Sequence, residues 1–580
     1  MVIARVVQYS DIYPEQKDNL PKVGDIISGI NRAHLCTMTS NMFDRLVEQP
    51  FYDNELNPAE EEFDYIRFFL SHNNSSFIQE AVNRYRAFLN KEQQQKQNID
   101  VKYVATTKAA VVTFQRCFFS LPSAVDRFDY KMEQDFFKAL LLINQQVYYL
   151  QYNDKIHENE PPDLRLAHLY LANCFANEDV DAFDLYDSFR RQLTKSVELF
   201  SFLCRDKRLK KIKERFYAHF RIGTWTDYII PHIMCMHWMK QKSGLLFVEG
   251  KHITGRKARR ILKHSAVDFN EVIPFAKNED YTQFRGRPFI RLARNKYAIT
   301  NISFVVEHIY NSLYFEFKKY RADAGFMNDD QFRIYFTTEF SQKFMFHRFA
   351  RRCLHGDEVK VLDGTQCDEI VNDKHARGVH PLDFYVRNNN SCVLFEFKDT
   401  LLKAKIKDER DPEKFFAEIR KKFVEKPDGT PKGIGQLIKN VKAIQEGSFI
   451  FDDVPTNMTI YPVLVVDNYV YTMRAMHTKL EYLMREYCVK EGVDHTFLKP
   501  LILVDVATFR LYADYFSYKG FVDVFEEYYR SIQLPSNPNY EDLYNSLISF
   551  SEFMKEKKVG NMGQVFNQLI KQVGPYLRKN

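Results

Sequence analysis

Between about positions 35 and 240 the apolar residues recur mostly three or four apart, as in FDYIRFFLSHN, FIQEAVNRYRAFL, FFKALLLINQQVYYL and LRLAHLYLANCFA. This spacing predicts a largely helical N-terminal half. The Gln-rich KEQQQKQN (91–98) and NDKIHENEPPD (153–163) read as breaks between helices. From about 275 the pattern changes. RPFIRLARNKYAI (287–299) predicts a short hairpin, ISFVVEHIYNSLYFEF a helix, and QFRIYFTTEFSQKFMFHRFARRCL a second helix. Short apolar runs then alternate with helical segments: DEVKVL, PLDFYV, CVLFEFKD, a basic helix, GIGQLIKNVKAIQ, YPVLVVD and LILVDV. A chain of 580 residues is too long for one core. The expected class is multidomain, α plus α/β. A mainly helical unit spans 1–275, a connecting hairpin and helix 276–327, an α/β unit 328–515 and C-terminal helices 516–580.

Composition narrows the class. An apolar share of 45%, 27% charged residues, 51 Phe and 34 Tyr belong to a folded, soluble protein. The formal charge of +6 is too small at this length to announce a polyanionic partner, so local clusters carry the electrostatic argument. CRDKRLKKIKERFYAHFR (204–221) and GKHITGRKARRILKH (250–264) are the densest basic segments, and read either as solvated helix faces or as a phosphate-contacting surface. GKHITG lacks the GxxxxGK[ST] frame of a P-loop. His232, Cys235 and His237 in HIMCMH lack a second ligand pair and read as helix side chains rather than a zinc site. Nine scattered cysteines without a CxxC pair fit reduced thiols. The first residues lack the apolar core of a signal peptide, and YIIPHIMCMHWM is well short of a bilayer span. A cytoplasmic protein without a membrane partner is expected.

The tetrapeptide FEFK occurs twice. Around the first copy, Phe315 to Lys318, the residues Ile302, Val306, Ile309, Leu313 and Phe317 form one helical stripe, and no Asp lies between Asp280 and Asp323. That copy reads as structural. The second, Phe395-Glu396-Phe397-Lys398, follows the turn Asn388-Asn389-Asn390-Ser391, which pairs CVLFEFKD with HPLDFYV as a hairpin. Cys392, Leu394, Glu396 and Lys398 then share one strand face, with Asp383 on the neighbouring strand. Two carboxylates side by side repel unless a cation lies between them. Oxygen-only ligation favours Mg²⁺, with Mn²⁺ as the other choice, and both also take phosphate oxygens. Lys398 beside the ion would help deprotonate a water attacking phosphorus. An acid-x-base triplet alone carries no weight, since Glu358-Val359-Lys360 is another. The full set of Asp383, hairpin turn, Glu396 and Lys398 is what singles this copy out.

Pro381-Leu382-Asp383, a 12-residue gap and then Glu396-Phe397-Lys398 resemble the PD-(D/E)xK nuclease superfamily, the restriction-endonuclease-like fold. Residues 328 to about 470 reproduce its order of helix, three-stranded meander, helix, strand and helix. The pattern departs in having Leu382 between the Pro and the Asp, and a basic insert, LLKAKIKDERDPEKFFAEIRKKF, after the meander. The resemblance implies a Mg²⁺-dependent phosphodiesterase, a DNA endonuclease first of all, of the kind found in microbial restriction and phage defence. It implies Asp383, Glu396 and the Phe397 carbonyl as metal ligands and Lys398 as the residue that positions or deprotonates water. Glu339 in TTEFSQKF is the candidate for the further ligand that the family draws from its first helix. Gln436 fits the first position of the QxxxY pattern of the exonuclease-like branch, with Asn440 in place of the Tyr, and Lys432, Lys439 and Lys442 nearby suit a phosphate backbone. His380 is kept as a strand-entry residue, because in the cap-snatching variant that uses a His the essential Lys lies far from the Glu. The partner implied is nucleic acid, DNA ahead of RNA, with the helical half left to a protein partner, a second copy of the chain or the substrate. An RNA-directed nuclease and a non-catalytic nucleic-acid-binding module are the competing readings.

Overall fold

The computed structural model describes residues 2–48, 70, 72–95, 100–104, 106, 108–122, 129–147, 158–174, 184–241, 256–274, 281–294, 296–356, 358–376 and 379–557. Outside the described residues lie positions 63–69, 96–98 and 153–157, GKHITG at 250–255, the side chain of His237 and the C-terminal segment beyond Lys557. Among the described residues, no helix is long and apolar enough to cross a membrane.

The chain is a mixed α and α/β protein. Strand β1 (Val2–Val6) pairs in parallel with β2 (Asp100–Val104). The expected hairpin forms from β4 (Phe289–Ala293) and β5 (Lys296–Ile299), and β3 (Ala266–Asp268) adds in parallel to β4. The third sheet has five strands in the order β10-β9-β8-β7-β6. Here β6 (Lys360–Asp363), β7 (Phe384–Asn388) and β8 (Ser391–Lys398) form an antiparallel meander, and β9 (Thr459–Val466) and β10 (Ile502–Asp505) continue it in parallel. The central strands β8 and β9 are covered on both faces, which is why CVLF and YPVLVV read as unbroken apolar runs. Pro462 falls in a gap of this edge: the Ile460 N–H bonds to the Phe497 carbonyl at 2.8 Å before it, and the ladder with β10 begins after it at Val463 opposite Ile502.

Side chains of β8 alternate between two cores. Val393, Phe395 and Phe397 pack with the helix Leu185–Arg205 and with the continuous helix 329–352, while Cys392 and Leu394 pack with Pro412–Phe423, Ile434–Gln445 and Met476–Glu491. The basic insert therefore contributes a layer of the fold, through Phe415, Phe416, Ile419 and Phe423. The helix expected over 302–317 divides into Ile302–Glu307 and Asn311–Lys318, yet all five residues of its stripe are buried. The Gln192 side chain accepts the Asn311 N–H at 3.0 Å, so a residue from a distant helix caps the restart.

The helix Leu185–Arg205 is also joined to the sheet by buried charges. Arg191 Nη1 lies 2.6 Å from Asp505 Oδ2, and Lys195 Nζ lies 3.2 Å from Asp467 Oδ1 and 3.3 Å from Asp505 Oδ1, at the ends of β9 and β10. Burial drives the Asp467 carboxyl up to about 6 against the pull of Lys195, with Asp399 and Asp505 adding to the rise.

One close approach fixes the start of the helix Ile434–Gln445. A Cβ on Gly435 would run into the Val424 carbonyl oxygen and stand 3.1 Å from Pro431 Cβ. Gly435→Ala is expected to cost at least about 2 kcal/mol, because backbone rather than a flexible side chain must give way. Denaturant melts of the variant against the parent read this directly.

Candidate active site

The β7–β8 hairpin turns through Asn389 and Asn390, with Asn389 at φ 47°, a left-handed conformation that asparagine tolerates. Its register runs from Asn388 opposite Ser391 to Phe384 opposite Phe395, and the Asp383 N–H continues it to the Phe395 carbonyl at 3.2 Å. Asp383 therefore stands opposite Glu396 on the face shared with Leu394 and Lys398, as the alternation predicts.

Each group has definite partners. Asp383 Oδ2 accepts the Phe397 N–H at 2.6 Å and Oδ1 accepts Gln342 Nε2 at 2.5 Å. The Lys398 ammonium donates to Glu396 Oε1. Glu396 is 2% exposed, and its Oε2 is buried with no hydrogen-bond partner among the described residues. Phe397 lies beyond the last paired residue of β7, so its carbonyl falls outside that ladder.

The electrostatics follow from burial. Desolvation pushes the Glu396 carboxyl up to about 8, with Lys398 opposing and Asp383 adding to the rise. Asp383 is raised for the same first reason, against Lys398 and the Phe397 N–H. Burial works against the charge on Lys398, but Glu396 and Asp383 outweigh it and hold its pKa above the ordinary lysine value. The resting lysine is thus an ammonium ion, not a free base.

The backbone at Lys398 is fixed from two directions. Its carbonyl accepts the Asp467 N–H at 3.1 Å. The next residue, Asp399, accepts Arg333 Nη2 at 2.5 Å, Ser341 Oγ at 3.0 Å and Thr337 Oγ1 at 3.2 Å, all from the helix 329–352. Such support lets a reactive side chain hold its position.

Of the other sequence candidates, Glu339 pairs with Lys343 at 2.7 Å, one turn along its own helix. Gln342, not Glu339, is the residue this helix brings to Asp383. The Glu339–Lys343 spacing of four was itself a readable sign of a surface pair. Gln436 Oε1 accepts the Gly433 N–H at 3.0 Å and caps its helix, and Asn440 Nδ2 donates to the His380 carbonyl at 3.1 Å. Lys439 and Lys442 are both engaged by Glu491, through its carboxylate at 2.6 Å and its carbonyl at 2.9 Å. Lys432 makes no ion pair among the described residues, and its pKa is lowered by partial burial and then by Lys398. His380 is lowered by partial burial and then by Lys439, Lys398 and Lys432, which places it beside these cations. His232 and Cys235 are fully buried core residues, with His232 Nδ1 bonded to the Tyr228 carbonyl at 2.9 Å. In the first FEFK copy, Glu316 pairs with Lys319 at 2.5 Å and Lys318 with Asp329 at 2.7 Å.

Gln342→Ala should release the Asp383 carboxylate, and should lower the metal-dependent cleavage expected from the sequence about 10- to 100-fold, the usual cost when a residue that orients a metal ligand is lost. Glu339→Gln should stay within about twofold, since an exposed pair contributes little. Parallel cleavage rates for the two variants decide between these residues.

Among the described residues, no group of three or more His, Cys, Asp and Glu side chains gathers as a metal site. The hairpin brings the Asp383 and Glu396 carboxylates together, and Asp368 is near enough to add to the rise at Asp383. A scan against protein-family models finds no match, and searches of curated proteins and of solved structures find none either.

Proposed function

We propose that the chain is a metal-dependent nuclease with a restriction-endonuclease-like sheet, hydrolysing phosphodiester bonds in DNA. One observation carries the reading: Glu396 is buried beside Asp383 with Oε2 unpartnered and its pKa pushed up to about 8. A carboxylate so placed is costly unless a cation takes up its charge. An oxygen-only set of Asp383, Glu396 and the Phe397 carbonyl fits Mg²⁺, a hard ion that keeps several of its own waters. Bound there, the ion would offset charge on the phosphate oxygens and acidify a water.

The protein's own groups have separable parts. Gln342 and the Phe397 N–H hold Asp383 in one orientation. Lys398, positioned by Glu396 and by the Asp467 and Asp399 contacts, places a positive charge where an attacking water and a phosphate oxygen would meet. It acts as a proton acceptor only once its pKa falls, because Glu396 and Asp383 together hold it above the ordinary lysine value. Lys432 adds positive charge beside Lys398, while His380, held below its ordinary range by burial and by these lysines, stands there as a neutral imidazole near pH 7.

The test is to incubate the purified chain with closed-circular DNA, linear DNA and RNA, each with Mg²⁺, Mn²⁺ or chelator. Cation-dependent nicking of the circle is the expected result. Cutting of linear DNA alone would mean end-directed action, and cutting of RNA alone would mean the wrong substrate. Binding without any cleavage would leave the non-catalytic alternative.

A further inference from the structure

The two basic segments, remote from the candidate site in sequence, meet in space. Arg260 Nη1 donates to the carbonyls of Phe220 at 3.3 Å and Arg221 at 3.2 Å, and the His219 and His264 rings stand 4.9 Å apart. The helices Lys210–Phe220 and Arg256–His264 therefore lie side by side. Each buries only its apolar stripe: Ile212, Phe216 and Phe220 in one, Ala258, Ile261 and Leu262 in the other. Lys210, Lys211, Arg221, Arg256, Arg259 and Lys263 are exposed. Glu214 is the single acidic residue of the two helices. Lys257 and Arg215 are set aside, being paired with Asp227 and Asp323, both at 2.9 Å. His264 is held below its ordinary range by partial burial and then by His219, Lys263 and Arg260, which reflects the crowding of positive charge.

We infer that this paired-helix face binds the phosphate backbone of duplex nucleic acid, with none of the candidate-site residues taking part. A row of cations on two rigid helices, whose own sequence carries one acidic residue, complements a polymer carrying a phosphate about every 1.7 Å of duplex axis. An anionic membrane surface fits less well, since the apolar stripes are consumed in the core and leave nothing to insert. The choice of a nucleic acid over another polyanion rests on the nuclease reading. The face adjoins the helix that presents Gln342 to Asp383, because Asp206, leading into the first basic helix, accepts Tyr335 Oη at 2.7 Å.

The test uses the full chain in chelator, so that cleavage is not the readout, with a fluorescent DNA duplex titrated over a series of salt concentrations. The triple variant Arg256→Gln, Arg259→Gln, Lys263→Gln is compared with Lys17→Gln, Lys91→Gln, Lys131→Gln, which removes the same charge from exposed positions elsewhere. The first should bind roughly tenfold or more weakly and lose about 2 to 3 from the slope of log affinity against log salt, while the second keeps the parent slope. Equal behaviour of the two variants, or no duplex binding by the parent, overturns the inference. So does a first variant that loses affinity for phosphatidylserine vesicles but not for the duplex. Cleavage is scored separately with Mg²⁺: the expected binding pattern without cleavage sinks the nuclease reading and leaves this surface standing, and cleavage without the pattern does the reverse.

Discussion

With Mg²⁺ present, Lys398→Ala protein is expected to nick closed-circular DNA about 10²- to 10⁴-fold more slowly than the parent, the range for losing a positioned proton-transfer or charge-stabilising group. The ammonium group is partly buried, bonded to Glu396, and mounted on backbone that Asp467 and Asp399 hold in place. Its loss should leave the fold intact. Glu396 already holds a proton near neutral pH, since burial pushes it up to about 8 even beside Lys398, so the loss leaves no new buried charge. Lys398→Arg separates two roles, because guanidinium keeps the charge but does not give up its proton. Recovery of most of the rate in the Arg variant would assign electrostatic positioning, and continued loss would assign proton transfer. The checks are single-turnover nicking and a melting curve for each protein. An Ala variant that cuts at the parent rate would move the chemistry to another part of the chain.

Glu396→Gln should do the opposite to stability and the same to activity. The folded-state pKa of Glu396 is raised from an ordinary 4.5 to about 8, so the folded protein holds a proton there that the unfolded chain releases. Stability from that proton is fully present below about 4.5 and is lost as pH rises through 8, at up to about 1.4 kcal/mol per pH unit. Asp383, raised as well, adds in the same direction, and Lys398, raised above 10.5, contributes nothing to this window. In metal-free buffer the parent should therefore lose stability across this range relative to the Gln variant. Mg²⁺ should restore the parent more at the alkaline end than at the acidic end, because binding must displace the proton. The variant should gain nothing from the ion. Thermal melts at several pH values, with and without Mg²⁺, give both comparisons. Superimposable profiles for the two proteins would show that Glu396 does not titrate in this window and would remove the case for a cation there.

The sheet was legible where local pattern suffices. Apolar runs marked β6 to β10, Asn389 and Asn390 marked the tight turn, and a period of two put Asp383, Glu396 and Lys398 on one face. What could not be read depends on helices meeting at a distance. Gln342 reaches Asp383 across 41 positions, and Arg333, Thr337 and Ser341 reach Asp399 across about 60. The break between Glu307 and Asn311 is set by Gln192 and has no local signature. The basic insert looked like an excursion because its charges dominate its composition, while four apolar positions decide where it packs. In the same way, 204–221 and 250–264 each read as an isolated charge run, and only the fold shows that 210–221 and 256–264 lie side by side.

The contacts of Arg191 and Lys195 with Asp467 and Asp505 bear on how this chain can be divided. A fragment beginning at residue 328 would retain every residue of the candidate site, yet would strand two buried anions in a sheet stripped of its counter-ions and of one helical cover. Excising the catalytic-looking part is thus an amputation through the core, and the smallest self-sufficient piece must reach back at least to Asp184, whose side chain caps the helix bearing both cations.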